Sequence, residues 1–113
     1  MKLFLRSAVA VLLAGVCIVT VAQSYPVRPV RILVGYAAGG GADGLARILA
    51  AKLSENFSQQ LLVENRPGAA GTLAADALAR AAPDGYTLYF ADTAILIAPS
   101  MYAKLPYDAV KSF

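Results

Sequence analysis

Three consecutive glycines, Gly39-Gly40-Gly41, followed by Ala42 and Asp43, are the residues of this chain best suited to hold a ligand. Glycines let a backbone turn tightly and let a ligand reach amide nitrogens with no Cβ in the way. A helix starting beside them adds unpaired N–H donors and a partial positive charge, a combination that captures anions. Asp43 is expected to cap that helix by accepting from its first free N–H groups.

Two other chemistries compete for these residues. Gly39, Gly41 and Gly44 fit the spacing G-x-G-x-x-G, and Glu64 lies twenty residues beyond Gly44, which is the arithmetic of a dinucleotide-binding fingerprint. Against it, Ala37 and Ala38 separate the preceding apolar run from the glycines, and Asp43 would set a carboxylate beside a pyrophosphate. No Lys-Ser or Lys-Thr follows the glycines, so a P-loop is excluded. The chain contains no histidine, which removes imidazole metal sites and Ser-His catalysis from this stretch. Asp43, Glu64, Asp76, Asp84 and Asp92 each have a plainer role than paired acid catalysis: cap, strand end, surface pair, turn and loop. No catalytic residue, metal ligand or cofactor is expected.

The elements that position the glycines read as β-α-β-α-β. Val30 to Tyr36 is an almost continuous apolar run broken by Arg31, suited to a strand covered on both faces. Gly35 within it marks a close approach by another backbone or by a ligand. Leu45, Ile48, Leu49 and Leu53 recur at helical spacing as one apolar stripe. Gln60 to Glu64 is a second strand, Asn65 to Gly71 a loop, and Thr72 a candidate cap for a helix presenting Leu73, Ala77, Leu78 and Ala81. Ala82-Pro83-Asp84-Gly85 is a turn, with proline presetting φ and glycine accepting a positive φ. Tyr86 to Ala91 is a third strand, Asp92-Thr93 opens a loop, and a last helix is expected over Pro99 to Lys104. This order predicts an α/β unit with a parallel three-stranded sheet, whose ligands bind beyond the carboxyl ends of the strands.

Export is written at the N-terminus. Lys2 and Arg6 precede an apolar run from Ala8 to Ala22, shorter than the ~20 residues that cross a bilayer, and Ala22-Gln23-Ser24 supplies small residues for cleavage after Ser24. Residues 1–24 are therefore expected to be a signal peptide and 25–113 the mature part. The ten Lys plus Arg against seven Asp plus Glu lose Lys2 and Arg6 with the signal, leaving eight against seven. The basic whole-chain balance is thus no argument for a nucleic-acid partner. The single cysteine, Cys17, also leaves, which suits an oxidising compartment.

Five stretches in order resemble the Bug receptors, the substrate-binding proteins of tripartite tricarboxylate transporters. They are Tyr25-Pro26-Val27-Arg28-Pro29-Val30-Arg31, Tyr36-Ala37-Ala38-Gly39-Gly40-Gly41-Ala42-Asp43, Val63-Glu64-Asn65-Arg66-Pro67-Gly68-Ala69, Ala82-Pro83-Asp84-Gly85-Tyr86-Thr87-Leu88 and Leu105-Pro106-Tyr107-Asp108. The resemblance implies a two-lobe Venus-flytrap fold, of which residues 25–113 would form the N-terminal part of the first lobe, with the second lobe missing. It implies a periplasmic monomer that holds a di- or tricarboxylate, an amino acid or an aromatic acid. Membrane permease subunits would be its partners. By position, the ligand residues would be Tyr36, Ala38, Gly39, Gly40, Gly41, Ala42 and Asp43, with Asp92 and Thr93 on the same rim. Ala37 stands where relatives often carry proline, and Gly44 where an apolar helix residue is usual, which weakens the helix start by up to ~1 kcal/mol.

Overall fold

The computed structural model describes residues 24–113; the expected signal peptide, apart from Ser24, lies outside the described residues. Strand β1 spans Val30–Val34, helix α1 Gly41–Phe57 and strand β2 Leu61–Asn65. A 3-10 turn at Ala69–Gly71 leads into helix α2, Thr72–Ala79, followed by strand β3, Thr87–Phe90, and helix α3, Ala94–Met101. The three strands form one parallel sheet in the order β2-β1-β3. Val30 pairs with Leu61 and Val34 with Asn65 on one side, while Arg31 pairs with Thr87 and Val34 with Phe90 on the other. The parallel three-stranded unit expected from the sequence is the one formed.

The twofold alternation of β1 explains how one strand serves two layers. Val30 and Ile32 join Ala50 of α1 and Leu61 of β2 in the core, with Leu53, Val63, Tyr86 and Phe90 packed around them. Leu33 points to the other face, where Ala77 and Ala81 lie, and is fully buried. Each fully buried aliphatic side chain of β1 contributes roughly 1.5–3 kcal/mol. Arg31, on the Leu33 face, stays exposed and bridges to Glu64 at 3.0 Å through Nε.

Helix orientation departs from the sequence expectation. α1 buries Asp43, Ala46 and Ala50, while Leu45 (61 % exposed), Ile48 (66 %) and Leu49 remain in solvent. The spacing of 43, 46 and 50 is itself helical, so two faces competed. Burying the hydrogen-bonded Asp43 requires the alanine face to point inward, and alanines let the helix axis lie close to the sheet. In α2 the buried residues are Thr72, Ala74 and Ala75, and Leu73 is exposed, so the expected Leu73 face does not form the contact. Gly71, in the left-handed region at φ 83, is the cap, and Thr72 is the first helical residue. A Cβ on Gly35 would lie 2.6 Å from Gly71 Cα, so the approach marked by Gly35 is by another backbone.

α3 begins earlier than Pro99. Asp92 Oδ1 accepts from the Ala94 N–H at 2.8 Å, and Thr93 O accepts from Leu96 and Ile97 at 3.1 and 3.2 Å, which starts the helix before its proline. Pro99 then falls within the helix, two residues before its end at Met101.

The segment before β1 is clamped onto the turn before β3. The Tyr25 and Tyr86 rings meet edge to face at 5.2 Å, Arg28 lies 3.9 Å over the Tyr86 ring, and Arg28 also pairs with Asp84 at 2.8 Å. Gly85 takes the positive φ, 78°, expected of the turn.

Candidate functional site

The N-terminus of α1 opens beyond the carboxyl end of β1. Gly40 is the cap residue, extended at ψ 171, and makes no side-chain capping bond. Gly44 N–H donates to Gly40 O at 2.9 Å, the first bond of the helix. The N–H groups of Gly41, Ala42 and Asp43 come before it and find no acceptor among the described residues, as helix geometry dictates. Three backbone donors and the positive helix end therefore face outward together.

Asp43 sits in the first turn of the helix and not at the cap position expected for it. Its carboxylate reaches back: Oδ2 accepts from Gly39 N–H at 2.8 Å and from Arg47 Nε at 2.9 Å, and Oδ1 accepts from Asn65 Nδ2 at 2.9 Å. The side chain is 4 % exposed. The Arg47 hydrogen bond, then those of Gly39 and Asn65, hold its carboxyl well below the usual carboxylate range. Asp43 thus organises the loop and, with its oxygens engaged and its charge matched by Arg47, does not compete for the outward N–H groups.

Asn65 was not singled out by sequence, yet it ties three elements. Its Nδ2 also donates to Tyr36 O at 3.0 Å, and its Oδ1 accepts from Arg47 at 3.1 Å. The loop after β1, helix α1 and the last residue of β2 are fixed to one another through a single amide. The only sequence signal was its place at the start of the loop expected from Asn65 to Gly71, beyond the carboxyl end of the second strand; the strand in fact runs one residue further and includes it.

Tyr36 and Asp92 stand two residues beyond the last residues of β1 and β3, and the pairing of Val34 with Phe90 places them side by side. The Tyr36 hydroxyl donates to Asp92 Oδ2. That hydrogen bond, burial and the Asp92 charge raise the Tyr36 phenol above its ordinary value. Burial, then Asp92, pushes nearby Tyr89 up to about 12, so both phenols stay protonated at neutral pH. Between β1 and β3, at the point where the chain switches from one side of β1 to the other, lies an open hollow of about 490 Å³. Tyr36, Ala37, Gly40, Gly41, Ala42 and Asp92 line it. In parallel sheets ligands bind at such switch points.

Of the expected ligand residues, Tyr36, Gly40, Gly41, Ala42 and Asp92 meet around this hollow. Ala38, Gly39, Asp43 and Thr93 do not line it: Gly39 and Asp43 bond to each other beneath the loop, and Thr93 supplies the start of α3. Ala37 lines the hollow although it was not among the expected ligand residues.

Residues 45–113 match the Tripartite tricarboxylate transporter family receptor. The chain belongs to this receptor family. A UPF0065 protein of Bordetella bronchiseptica is 48 % identical over 91 residues, covering 80 % of this chain and 27 % of the relative. Protein BugT of Bordetella pertussis is 35 % identical over 100 residues, covering 87 % of this chain and 31 % of its own length. Among solved structures, the periplasmic binding protein BugD superposes with a TM-score of 0.76 at 40 % identity, covering 79 % of this chain and 30 % of BugD. MatC from Rhodopseudomonas palustris with bound malate gives 0.67 at 38 % identity, covering 79 % and 31 %. The chain therefore spans less than a third of the length of these relatives, and its fold is that of part of a periplasmic binding protein.

The dinucleotide arrangement is not what the receptor fold builds here. Six residues separate β1 from α1, where the fingerprint needs a turn directly after the strand. A Cβ on Gly44 would meet nothing, so this glycine makes no close helix–strand contact. Glu64 is held by Arg31 and Arg66 through its two carboxylate oxygens.

Proposed function

We propose that this chain is part of an exported, periplasmic receptor that holds a small carboxylate at the start of α1. The observation that carries the reading is the set of three outward N–H groups, of Gly41, Ala42 and Asp43, beside a hollow that contains no lysine or arginine among its lining residues. Such a site captures an anion by backbone donors and the helix end. Tyr36 forms one wall, and Ala37, Gly40, Gly41, Ala42 and Asp92 complete the lining. The receptor binds without covalent chemistry, metal or cofactor and releases its ligand unchanged. It works as a monomer and delivers the ligand to membrane permease subunits. The relative MatC with its malate, and a Rhodopseudomonas palustris protein solved with adipate at 36 % identity, support the ligand class. Residues 1–24 direct export and are cleaved after Ser24; N-terminal sequencing of the exported protein should begin at Tyr25.

The test uses protein expressed from its complete reading frame and calorimetric titration with mono-, di- and tricarboxylates. Gly41 occupies the first helical position, where proline is tolerated, so Gly41→Pro deletes one donor and preserves the helix. A charge-assisted hydrogen bond is worth about 1.5–3 kcal/mol, so affinity should fall roughly tenfold to hundredfold with an unchanged circular dichroism spectrum. Equal binding by the variant would remove the helix start from the site.

A further inference from the structure

Asp92 supplies the only charge among the six residues lining the proposed carboxylate site. Its setting differs from that of the other acids around the sheet. Asp43, Glu64, Asp76 and Asp84 each face an arginine, whereas Asp92 makes no ion pair with any described residue. Two hydrogen bonds fix its orientation: Oδ1 receives the Ala94 N–H at 2.8 Å, and Oδ2 receives the Tyr36 hydroxyl. A carboxylate has about four acceptor sites, so roughly two remain free at the edge of the hollow that Asp92 lines. Tyr36, itself a wall of the hollow, ties the exposed Asp92 carboxylate to its rim.

An anion at the α1 start thus lies in a hollow bordered by a fixed, unpaired negative charge. Backbone donors favour one carboxylate, and Asp92 repels a second negative group while attracting a positive one. From this we infer that Asp92 is the specificity-determining residue of the site and selects ligands carrying an ammonium group next to the bound carboxylate, the zwitterion of an amino acid. The inference rests on the carboxylate reading of the α1 start and narrows its ligand class. Arg31, Arg66 and Arg80 around the hollow on the α2 face offer no comparable site, since Glu64 and Asp76 already engage them.

The experiment compares ligands that differ only by an α-ammonium group: L-alanine with propionate, L-aspartate with succinate, and L-phenylalanine with 3-phenylpropionate. They are titrated calorimetrically into protein from the complete reading frame. In at least one pair the amino acid should bind ~10- to 100-fold more tightly, the value of one charged hydrogen bond. Asp92→Asn should abolish that ratio, with the acid lacking the ammonium gaining affinity once the negative charge is gone. Tyr36→Phe, which unpins the carboxylate, should reduce the ratio and serves where Asp92→Asn folds poorly. Carboxylate binding with no preference for the amino acid, or a preference that survives both variants, overturns the Asp92 assignment and leaves the carboxylate site standing. Absence of binding by all six compounds overturns both.

Discussion

Asn65 Nδ2 lies 2.9 Å from Asp43 Oδ1, joining the last residue of β2 to the first turn of α1. The same amide holds Tyr36 O at 3.0 Å, so the loop that carries the glycines is anchored from below by one side chain. Buried polar groups of this kind are costly to leave unpaired, and the removal of Asn65 strands a donor-hungry carboxylate.

Asn65→Ala should therefore destabilise the fold by about 1–3 kcal/mol, the cost of leaving a partly buried acceptor unsatisfied. Asn65→Asp should cost more, because it faces Asp43 with a second carboxylate. Urea unfolding followed by circular dichroism measures both; a change below about 0.5 kcal/mol for Asn65→Ala would mean that water replaces the amide freely.

Stability should fall in acid through Asp43. Its folded carboxyl titrates below its unfolded value of 3.8, first because of the Arg47 hydrogen bond and then those of Gly39 and Asn65. The unfolded chain consequently takes up the proton first. The contribution is complete above the unfolded value and is lost as pH drops through it toward the folded one. Unfolding midpoints of the wild type should decline from about pH 5 downward, and Asp43→Asn should show a shallower decline over the same window. Parallel curves for the two proteins would contradict this account. Glu64, lowered by Arg31 and then Arg66, adds a slope of the same sign that both proteins share.

Gly35→Ala should be among the most damaging small substitutions. The new Cβ would come within 2.6 Å of Gly71 Cα, and backbone cannot yield as a side chain can. Overpacking of this kind costs about 1–3 kcal/mol. Gly71→Ala adds the strain of φ 83 and a contact of 2.7 Å with the Tyr89 hydroxyl, so its thermal midpoint should lie lower still.

The two faces of α1 should respond oppositely. Ala46, wholly buried against the sheet, cannot accept three more heavy atoms, and Ala46→Leu should destabilise by about 1–3 kcal/mol. Ile48, 66 % exposed, should tolerate Ile48→Gln within about 0.5 kcal/mol in the 113-residue chain. A reversed order in chemical denaturation would restore the leucine stripe as the packed face.

Strand identity, sheet direction and the loops at the strand ends were legible because proline, glycine and apolar runs act locally. Helix rotation was not. Leu45, Ile48 and Leu49 gave the stronger periodic signal, but Asp43 shares a face with Ala46 and Ala50, and its partners Asn65 and Arg47 become neighbours only after the sheet has formed. The same limit hid Asn65. It also made Asp43 look like a cap, since a carboxylate reaching back to Gly39 and one reaching forward into the helix place the same residue type within the same few positions. The juxtaposition of Tyr36 and Asp92 depended on the pairing of Val34 with Phe90, a register that no short window of sequence contains.

The outward donors at Gly41, Ala42 and Asp43 belong to the peptide backbone, and every amino acid except proline supplies the same N–H. Mutation can therefore alter the neighbouring side chains without erasing those donors. Descendants of such a chain could exchange Asp92 or Tyr36 and so reshape the hollow, while the row of backbone donors passes unchanged from one sequence to the next.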